Sequence, residues 1–417
     1  MANKLFEVNI ATVSYEGSLF TWKGDYLKDK EEYSLNINMT SGFHCSQGSL
    51  KAIAISKTGK YLACGGLDER IRIFNMKDNV SLGELSTHTG GITCLEFFED
   101  SYLISGSDDN TLCIWRVHDW VCVHILGGHK SPITAISIHP SGKLILSACK
   151  DNVLKVWNLV QGRCAFTRRL KAPPVTDGLI TAAVPYPSSL KWQLPSGDHY
   201  MIVTEKRIEV FHASDNHSVG SIDNRHRFNQ AIFFNYQNLC RVCAIDEGKT
   251  LFILELDGSE VVRLNLSSIN GRLRDLSLVS FQQQDQQQQD QSNCSLATIC
   301  TSTGKTLVLN LNVLCEFSSS TENLYERSLV CEHSLEVEPR FIKTVMWITN
   351  KVNLNNKNNK KDNKKKKNKI ENSNQTESNV NAKRKAVTFD EVVVEQDDEQ
   401  EAKSKKKQKK NNKKGKK

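Results

Sequence analysis

"SGSDDNTLCIWRV", residues 105–117, places an Asp six positions before a Trp, with an alternating apolar run between them. The chain repeats the phrase at 147–159 as "SACKDNVLKVWNL", and in both copies a Ser stands four residues before the Asp. A period-2 run after a turn-forming cluster reads as a β-strand entered through a tight turn. The closing piece of the phrase, a short β-prone run ending in an aromatic or apolar residue, recurs along the chain. It appears as "SLFTW" (18–22), "RIRIF" (70–74), "TLCIW" (111–115), "VLKVW" (153–157), "RIEVF" (207–211), "TLFIL" (250–254) and "TLVLNL" (306–311). The first four are about 41 to 52 residues apart, and loops stretch the later spacings. There is no long amphipathic helical pattern. Repeats of about 40 to 50 residues built from short strands define a β-propeller. The expected fold is therefore all-β: a seven-bladed β-propeller over 1–349, followed by a segment of different composition over 350–417.

The repeated polar residues fit that architecture. A His before a blade's innermost strand can bond the Asp of the tight turn two strands on. A Ser on the middle strand and a Trp on the third complete a buried network. The candidates are His88, Ser105, Asp109 and Trp115, and then His129, Ser147, Asp151 and Trp157. Ser, His and Asp are also the parts of a nucleophilic triad. A triad occurs once, whereas this set occurs twice, each time with a Trp, so no catalytic residue is assigned. Residues 44–74 keep His44 and Asp68 but carry Cys64 and Phe74 in place of the Ser and Trp; the first copy offers Thr12, Glu16 and Trp22. Beyond residue 165 only the strand pattern is expected to persist.

The ends of the propeller are expected to share a blade. "NIATVSYEG" and "SLFTW" read as the two middle strands of a blade, and "LEVEPRFIKTVMWIT" (335–349) reads as the two strands it lacks. Sharing would close the ring and protect its open edges. "FQQQDQQQQDQSN" (281–293) reads as a low-complexity solvated loop between strands.

"GGHKSPITAISIHPSGKLILSACKDNVLKVWNLVQGRCAF" (127–166) has the form of a WD repeat. The run from "HTGGITCLEFFEDSYLISGSDDNTLCIW" through "NLVQGRCAF" resembles the p21-activated kinase-interacting protein-like family. The opening "YEGSLFTW" and a basic C-terminal segment agree with it, and the strongest match covers about residues 86–166. The resemblance implies a nucleolar factor for large ribosomal subunit assembly and pre-rRNA processing. For some members it also implies binding and restraint of p21-activated kinase. The partners it implies are pre-ribosomal assembly proteins, pre-rRNA and that kinase, with the chain a monomer inside a larger complex.

Charge is unevenly placed. Residues 350–417 carry 22 Lys/Arg against 10 Asp/Glu, which leaves 33 against 37 in residues 1–349. The basic clusters are Lys364, Lys365, Lys366 and Lys367; Lys383, Arg384 and Lys385; and 403–417, including Lys405, Lys406 and Lys407. Such a segment is expected to be disordered. It reads as a nuclear-import and nucleolar-retention arm that attracts RNA phosphates, or as a solubilising tail. With little Arg and no interleaved aromatics, it is suited to phosphate attraction without base reading. Within it, "KRKAVTFDE" (383–391) puts Val387 and Phe389 on one side of an extended chain. That resembles the short motif that docks on type-one protein phosphatase by strand addition.

The remaining signals are negative expectations. Thirteen Cys, mostly within apolar runs, read as reduced core residues of an intracellular protein. "CRVC" (240–243) has no second pair at zinc-site distance, and its two Cys fall on opposite faces of a strand. No cofactor, metal site, signal peptide or membrane span is expected.

Overall fold

The tight turns of the repeats each need one residue in the left-handed region, and the sequence supplies it. The Asn after each Asp of the opening phrases takes it, Asn110 at φ 70° and Asn152 at φ 59°, while Gly17 and Gly304 take it at φ 78°. Asn and Gly enter this region at little cost. The computed structural model describes residues 3–29, 32–170, 186–283, 292–316, 324–334 and 340–349.

The described residues form seven four-stranded antiparallel sheets. The closing blade holds β1 (Asn3–Ser14), β2 (Ser18–Asp29) and β3 (Glu32–His44). The next contains β4 (Leu50–Ile55), β5 (Tyr61–Gly66), β6 (Ile71–Asn75) and β7 (Val80–Leu85). The two blades of the opening phrases follow: β8 (Ile92–Phe98), β9 (Tyr102–Ser107), β10 (Leu112–Arg116) and β11 (Val121–Leu126), then β12 (Ile133–Ile138), β13 (Leu144–Cys149), β14 (Val153–Asn158) and β15 (Arg163–Arg169). Then come β16 (Ser189–Trp192), β17 (His199–Val203), β18 (Arg207–His212) and β19 (Ser218–Asp223), and β20 (Phe228–Tyr236), β21 (Leu239–Asp246), β22 (Thr250–Leu254) and β23 (Glu260–Asn265). The last full sheet is β24 (Leu273–Gln283), β25 (Ser292–Thr301), β26 (Lys305–Asn310) and β27 (Leu329–Ser334), with short helices α1 (Leu311–Glu316) and α2 (Leu324–Ser328) between its outer strands. The final strand, β28 (Phe341–Thr349), returns to the first sheet, whose order is β28-β1-β2-β3.

The recurring run of the sequence is the third strand from the centre in every blade: β2, β6, β10, β14, β18, β22 and β26. Each pairs with the outermost strand through a bulge at the same place, immediately before Trp22, Phe74, Trp115, Trp157, Phe211, Leu254 and Leu309. A bulge raises the local twist, which turns each outer strand relative to its sheet. The inner strands touch in cyclic order, β28, β4, β8, β12, β16, β20, β24 and back to β28. Apolar side chains fill the space between neighbouring blades; Trp115, Ile73, Ile92 and Leu103 share one such cluster. Each fully buried aliphatic side chain of this kind contributes about 1.5–3 kcal/mol.

Closure differs from the expected two-plus-two. The C-terminal part supplies one strand, β28, paired from Glu7↔Thr349 to Ser14↔Phe341. The outermost strand is β3, from the N-terminal side. Its pattern is mostly exposed, with Leu35 the buried apolar anchor, so hydrophobic alternation does not announce it. The closure is clasped where β28 begins. The Tyr15 amide donates to the Arg340 carbonyl at 2.8 Å, and Arg340 Nε donates to Glu16 Oε1 at 2.8 Å. Burial opposes ionisation of Glu16, but hydrogen bonds from Arg340 and the backbone hold its pKa below the usual value.

Two further departures concern the blade of β24 to β27. The Gln-rich segment is partly strand: Phe281 to Gln283 extend β24 and pair with Ser292 to Cys294 of β25. Phe281 packs on Phe6 at 4.1 Å between ring centroids. The helices α1 and α2 were not foreseen. Leu311, Leu314 and Cys315 of α1 are buried, so the segment packs as core without a long amphipathic pattern. β1, β2 and β3 have 12, 12 and 13 residues and β24 and β25 have 11 and 10. Strands elsewhere are shorter, and the extra length lies at the ends remote from the Asp turns. The expected tail, 350–417, lies outside the described residues. No helix among the described residues is long and apolar enough to cross a membrane.

Deleting residues 341–349 is expected to unfold or aggregate the chain, because β1 and the inner strands beside β28 lose their partner. Deleting 350–417 is expected to leave the melting temperature nearly unchanged. Equal loss of thermal stability in the two truncations would refute closure by β28.

Candidate functional site

The first repeated set is drawn together as a directional chain of hydrogen bonds. Trp115 Nε1 donates to Ser105 Oγ at 2.9 Å, and Ser105 Oγ lies 2.8 Å from His88 Nε2. His88 Nδ1 lies 2.8 Å from Asp109 Oδ2. With the indole N–H as donor at one end and a carboxylate at the other, the chain is satisfied if Ser105 donates to Nε2 and Nδ1–H donates to Asp109. Asp109 also accepts from the Thr89 amide (3.1 Å), the Thr111 amide (2.8 Å) and the Thr111 hydroxyl (2.7 Å). Burial pushes the Asp109 pKa up, but the Thr111, His88 and backbone donors prevail and hold it below its ordinary value.

These distances match a nucleophilic triad, but access does not. Ser105 is 0% exposed, and its oxygen is already engaged by Trp115 and His88. No substrate carbonyl can reach it.

In the second set a thiol intervenes. Trp157 Nε1 donates to Ser147 Oγ at 2.8 Å, and Ser147 Oγ lies 2.6 Å from His129 Nε2. His129 Nδ1, however, faces Cys149 Sγ at 3.0 Å, and Cys149 Sγ donates to Asp151 Oδ1 at 2.6 Å. Cys149 occupies the place of Ser107, whose hydroxyl turns away to donate to the Gly90 carbonyl at 2.8 Å. His129 therefore has no direct carboxylate contact. Burial first, and then the charge of Lys155, lower its pKa to about 4 against the pull of Asp151. Burial and the bond to Asp151 push the Cys149 thiol up to about 12.

The other candidates are not brought together. His44 Nδ1 meets Ser18 Oγ at 3.4 Å, while Asp68 ion-pairs with Arg72. Thr12 Oγ1 and Trp22 Nε1 are buried without a hydrogen-bond partner among the described residues. Later blades do contain polar sets, contrary to expectation. Asp246 accepts from Asn224 Nδ2 at 2.8 Å and from the Thr250 amide at 2.7 Å, so Asn replaces the His. Asp246 stands eight residues before Leu254, where Asp109 stands six before Trp115, so neither spacing nor residue type marks it. Near the axis, Asp275 of β24 accepts from Gln230 of β20 (3.1 Å) and from Lys343 Nζ (3.0 Å) and the Thr344 amide (2.9 Å) of β28. Nothing in the local sequence marks Asp275.

The described surface offers three hollows of interest. The axial channel, about 350 Å³, is lined by Lys51, Glu96, Lys191, Asp275 and Lys343 among others. Burial raises the Glu96 pKa there. A larger hollow of about 1130 Å³ lies where the strand extensions project and is lined by Phe6, Leu194, Phe233, Phe281 and Ile348. A third, about 270 Å³, includes Lys130, Lys155, Thr167 and Arg169. Among the described residues no group of three or more His, Cys, Asp or Glu is placed to hold a metal. The expected basic clusters, Lys364 to Lys367, Lys383 to Lys385 and Lys405 to Lys407, lie outside the described residues, as do Val387 and Phe389.

Seven sheets around an axial channel, with a Trp–Ser–His–Asp chain in a blade, define a WD-repeat β-propeller, and the WD domain, G-beta repeat model matches residues 38–75, 79–116 and 120–158. A Xenopus laevis protein, p21-activated protein kinase-interacting protein 1-like, is 31% identical over 269 residues, which are 60% of this chain and 69% of that one. Its Gallus gallus namesake is 39% identical over 168 residues, 40% of this chain and 41% of that protein. Shk1 kinase-binding protein 15 of Schizosaccharomyces pombe is 35% identical over 126 residues, 29% of this chain and 36% of that one. The chain belongs to the p21-activated protein kinase-interacting protein 1-like family.

Asp109→Ala is expected to cost about 1–3 kcal/mol, because it strands several buried donors. Asp151→Ala should cost less, since Cys149 still faces His129. Urea unfolding of the two variants measures the order.

The lowered pKa of His129 gives stability a pH dependence. The unfolded imidazole titrates near 6.5 and the folded one near 4, so between these values the unfolded state binds more protons. The contribution is complete above pH 6.5 and is lost as pH falls toward 4. The urea midpoint should fall over that window, and by less in His129→Gln.

Proposed function

We propose that this chain is a non-enzymatic scaffold for assembly of the large ribosomal subunit and processing of pre-rRNA in the nucleolus. The observation that carries the reading is the pairing of a mildly acidic propeller with the 22 basic residues of 350–417. Such an arm binds polyanions through counterion release, and the rigid ring offers faces for assembly proteins. The burial of Ser105 and His88 supports a binding role rather than catalysis. The arm would supply nuclear import and retention, with pre-rRNA as its polyanion. Depletion is expected to lower free large subunits and accumulate large-subunit rRNA precursors while small subunits are largely spared. Normal subunit profiles and normal rRNA processing after complete depletion would sink the proposal.

A second reading is regulation of p21-activated kinase by direct binding. It is favoured by the names of the frog and chicken relatives. It predicts a complex between the purified chain and the kinase, which ribosome assembly does not require. Docking of type-one phosphatase at Val387 and Phe389 stands as a further proposal about the basic arm.

A further inference from the structure

The mild acidity of residues 1–349 conceals a strongly basic sector. Residues 120–170 carry seven Lys/Arg, namely Lys130, Lys143, Lys150, Lys155, Arg163, Arg168 and Arg169, against the single acid Asp151. These residues belong to one blade, β12 to β15, and the turn that enters it.

Several cations of this blade lack an acidic partner. Elsewhere in the ring, Arg70 meets Glu84, Arg116 meets Asp119, Arg272 meets Glu247 and Lys305 meets Glu332, all at 2.6–2.7 Å. Lys130, Lys155, Arg168 and Arg169 make no ion pair with any described carboxylate. Lys155 Nζ instead donates to the Thr167 hydroxyl at 3.1 Å. The one acid, Asp151, is taken by the Cys149 thiol. The field is felt locally: the charge of Lys155 helps to keep His129 neutral. Uncompensated cations held close together repel one another, and an anion relieves that repulsion.

Three of the seven, Lys130, Lys155 and Arg169, converge on the hollow of about 270 Å³. Of the rest, Arg163 stands at the far end of β15, whereas Lys150 pairs with Asp108 and Arg168 packs over the Phe211 ring. β15 is the outermost strand, exposed along almost all its length, and from Arg163 to Arg169 it runs about 20 Å at 3.3 Å per residue. Phe166, 45% exposed, projects from the opposite face of β15, since it pairs with Val156 whereas Thr167 pairs with Lys155.

We propose that this blade binds the phosphate backbone of single-stranded RNA, with Lys130, Lys155 and Arg169 gripping phosphates. The positive charge forms a track rather than a point, which fits a chain of evenly repeated anions. An acidic peptide would need apolar anchor pockets for affinity, and the hollow is lined instead by Lys, Arg, Thr, Asp, His, Gly and one Val. A positively charged groove that tracks the backbone is a recurring means of holding unstructured RNA. The proposal rests on the ribosome-assembly reading only in taking pre-rRNA as the source of that strand.

The test is RNA binding by the full chain, with the basic arm intact in every sample. The probe is a fluorescent oligouridylate of about 30 nucleotides, long enough to cross a track of about 20 Å. Wild type is compared with Lys130→Gln/Arg169→Gln, whose side chains are both exposed, and with a triple variant adding Lys155→Gln. The slope of log affinity against log salt should shrink by about 0.7 per lost phosphate contact, hence by about 1.4 and about 2. A charge-matched control, Lys57→Gln/Arg70→Gln on another blade, should keep the wild-type slope. Ultraviolet crosslinking should place RNA on a peptide of β14 or β15. Unchanged slopes in both variants, with crosslinks confined to 350–417, would overturn the proposal. So would polyglutamate competing as well as RNA at equal charge concentration, which would make the blade an acidic-peptide surface. RNA binding that depends on this blade alongside normal rRNA processing after depletion would fault the ribosomal reading and leave the surface standing.

Discussion

The structure depends on the pairing of β28 with β1. A propeller blade is a sheet with two edges, and the ring exists only if the first and last parts of the chain meet in one sheet. Eight residue pairs, Glu7↔Thr349 through Ser14↔Phe341, make that junction. Polar ties reinforce it from both sides. Thr344 Oγ1 donates to the Ala11 carbonyl at 3.3 Å, and Asp275 holds Lys343 and the Thr344 amide from the neighbouring blade. Because Asp275 also takes Gln230, three inner strands share one buried carboxylate. Buried networks of this kind are costly to satisfy in part, so the junction, its neighbour and the blade beyond are coupled.

Much of this architecture is legible in the letters, and the exceptions have physical causes. The third strand of each blade is largely buried and bulged at a fixed place, so it keeps a stable pattern of β-branched and aromatic residues. Outer strands such as β3 and β15 face solvent and carry no such pattern, which is why the division of the closing blade is misjudged. "LEVEP" alternates as a strand should but lies outside the described residues, and β28 begins at Phe341. The later polar sets escape notice because Asn224 takes the place of His88 while its partner Asp246 takes that of Ser107 rather than Asp109. Residue types identify a network only while the types are kept; geometry survives their exchange. The basic blade is hidden for another reason, since a charge summed over hundreds of residues cannot report a sector.

Two kinds of polar group coexist in adjacent blades, and they have different uses. The chain from Trp115 to Asp109 is inward, paired and dry, and its value lies in leaving no donor unmet. Lys155 of β14 and Arg169 of β15 line an open hollow and make no ion pair with a described carboxylate. The same blade that interposes Cys149 between His129 and Asp151 carries Lys155 within electrostatic reach of that His. Whatever anion settles on Lys155 thus acts on a histidine that also anchors the blade. Binding on the rim and the protonation of a buried side chain are thereby linked, and by linkage each must favour the other.

The unequal blades have a geometric consequence. Seven similar sheets about an axis make a ring that a partner could meet in seven nearly equivalent rotations. The long strands of two adjacent blades, locked by Phe6 against Phe281, raise a wall over one arc of one face. That wall is an index mark: a partner that touches both the face and the wall fits in a single angular setting. A fold built by repetition thereby acquires a zero point, and every other site on the rim, the basic blade included, is held at a fixed bearing from it.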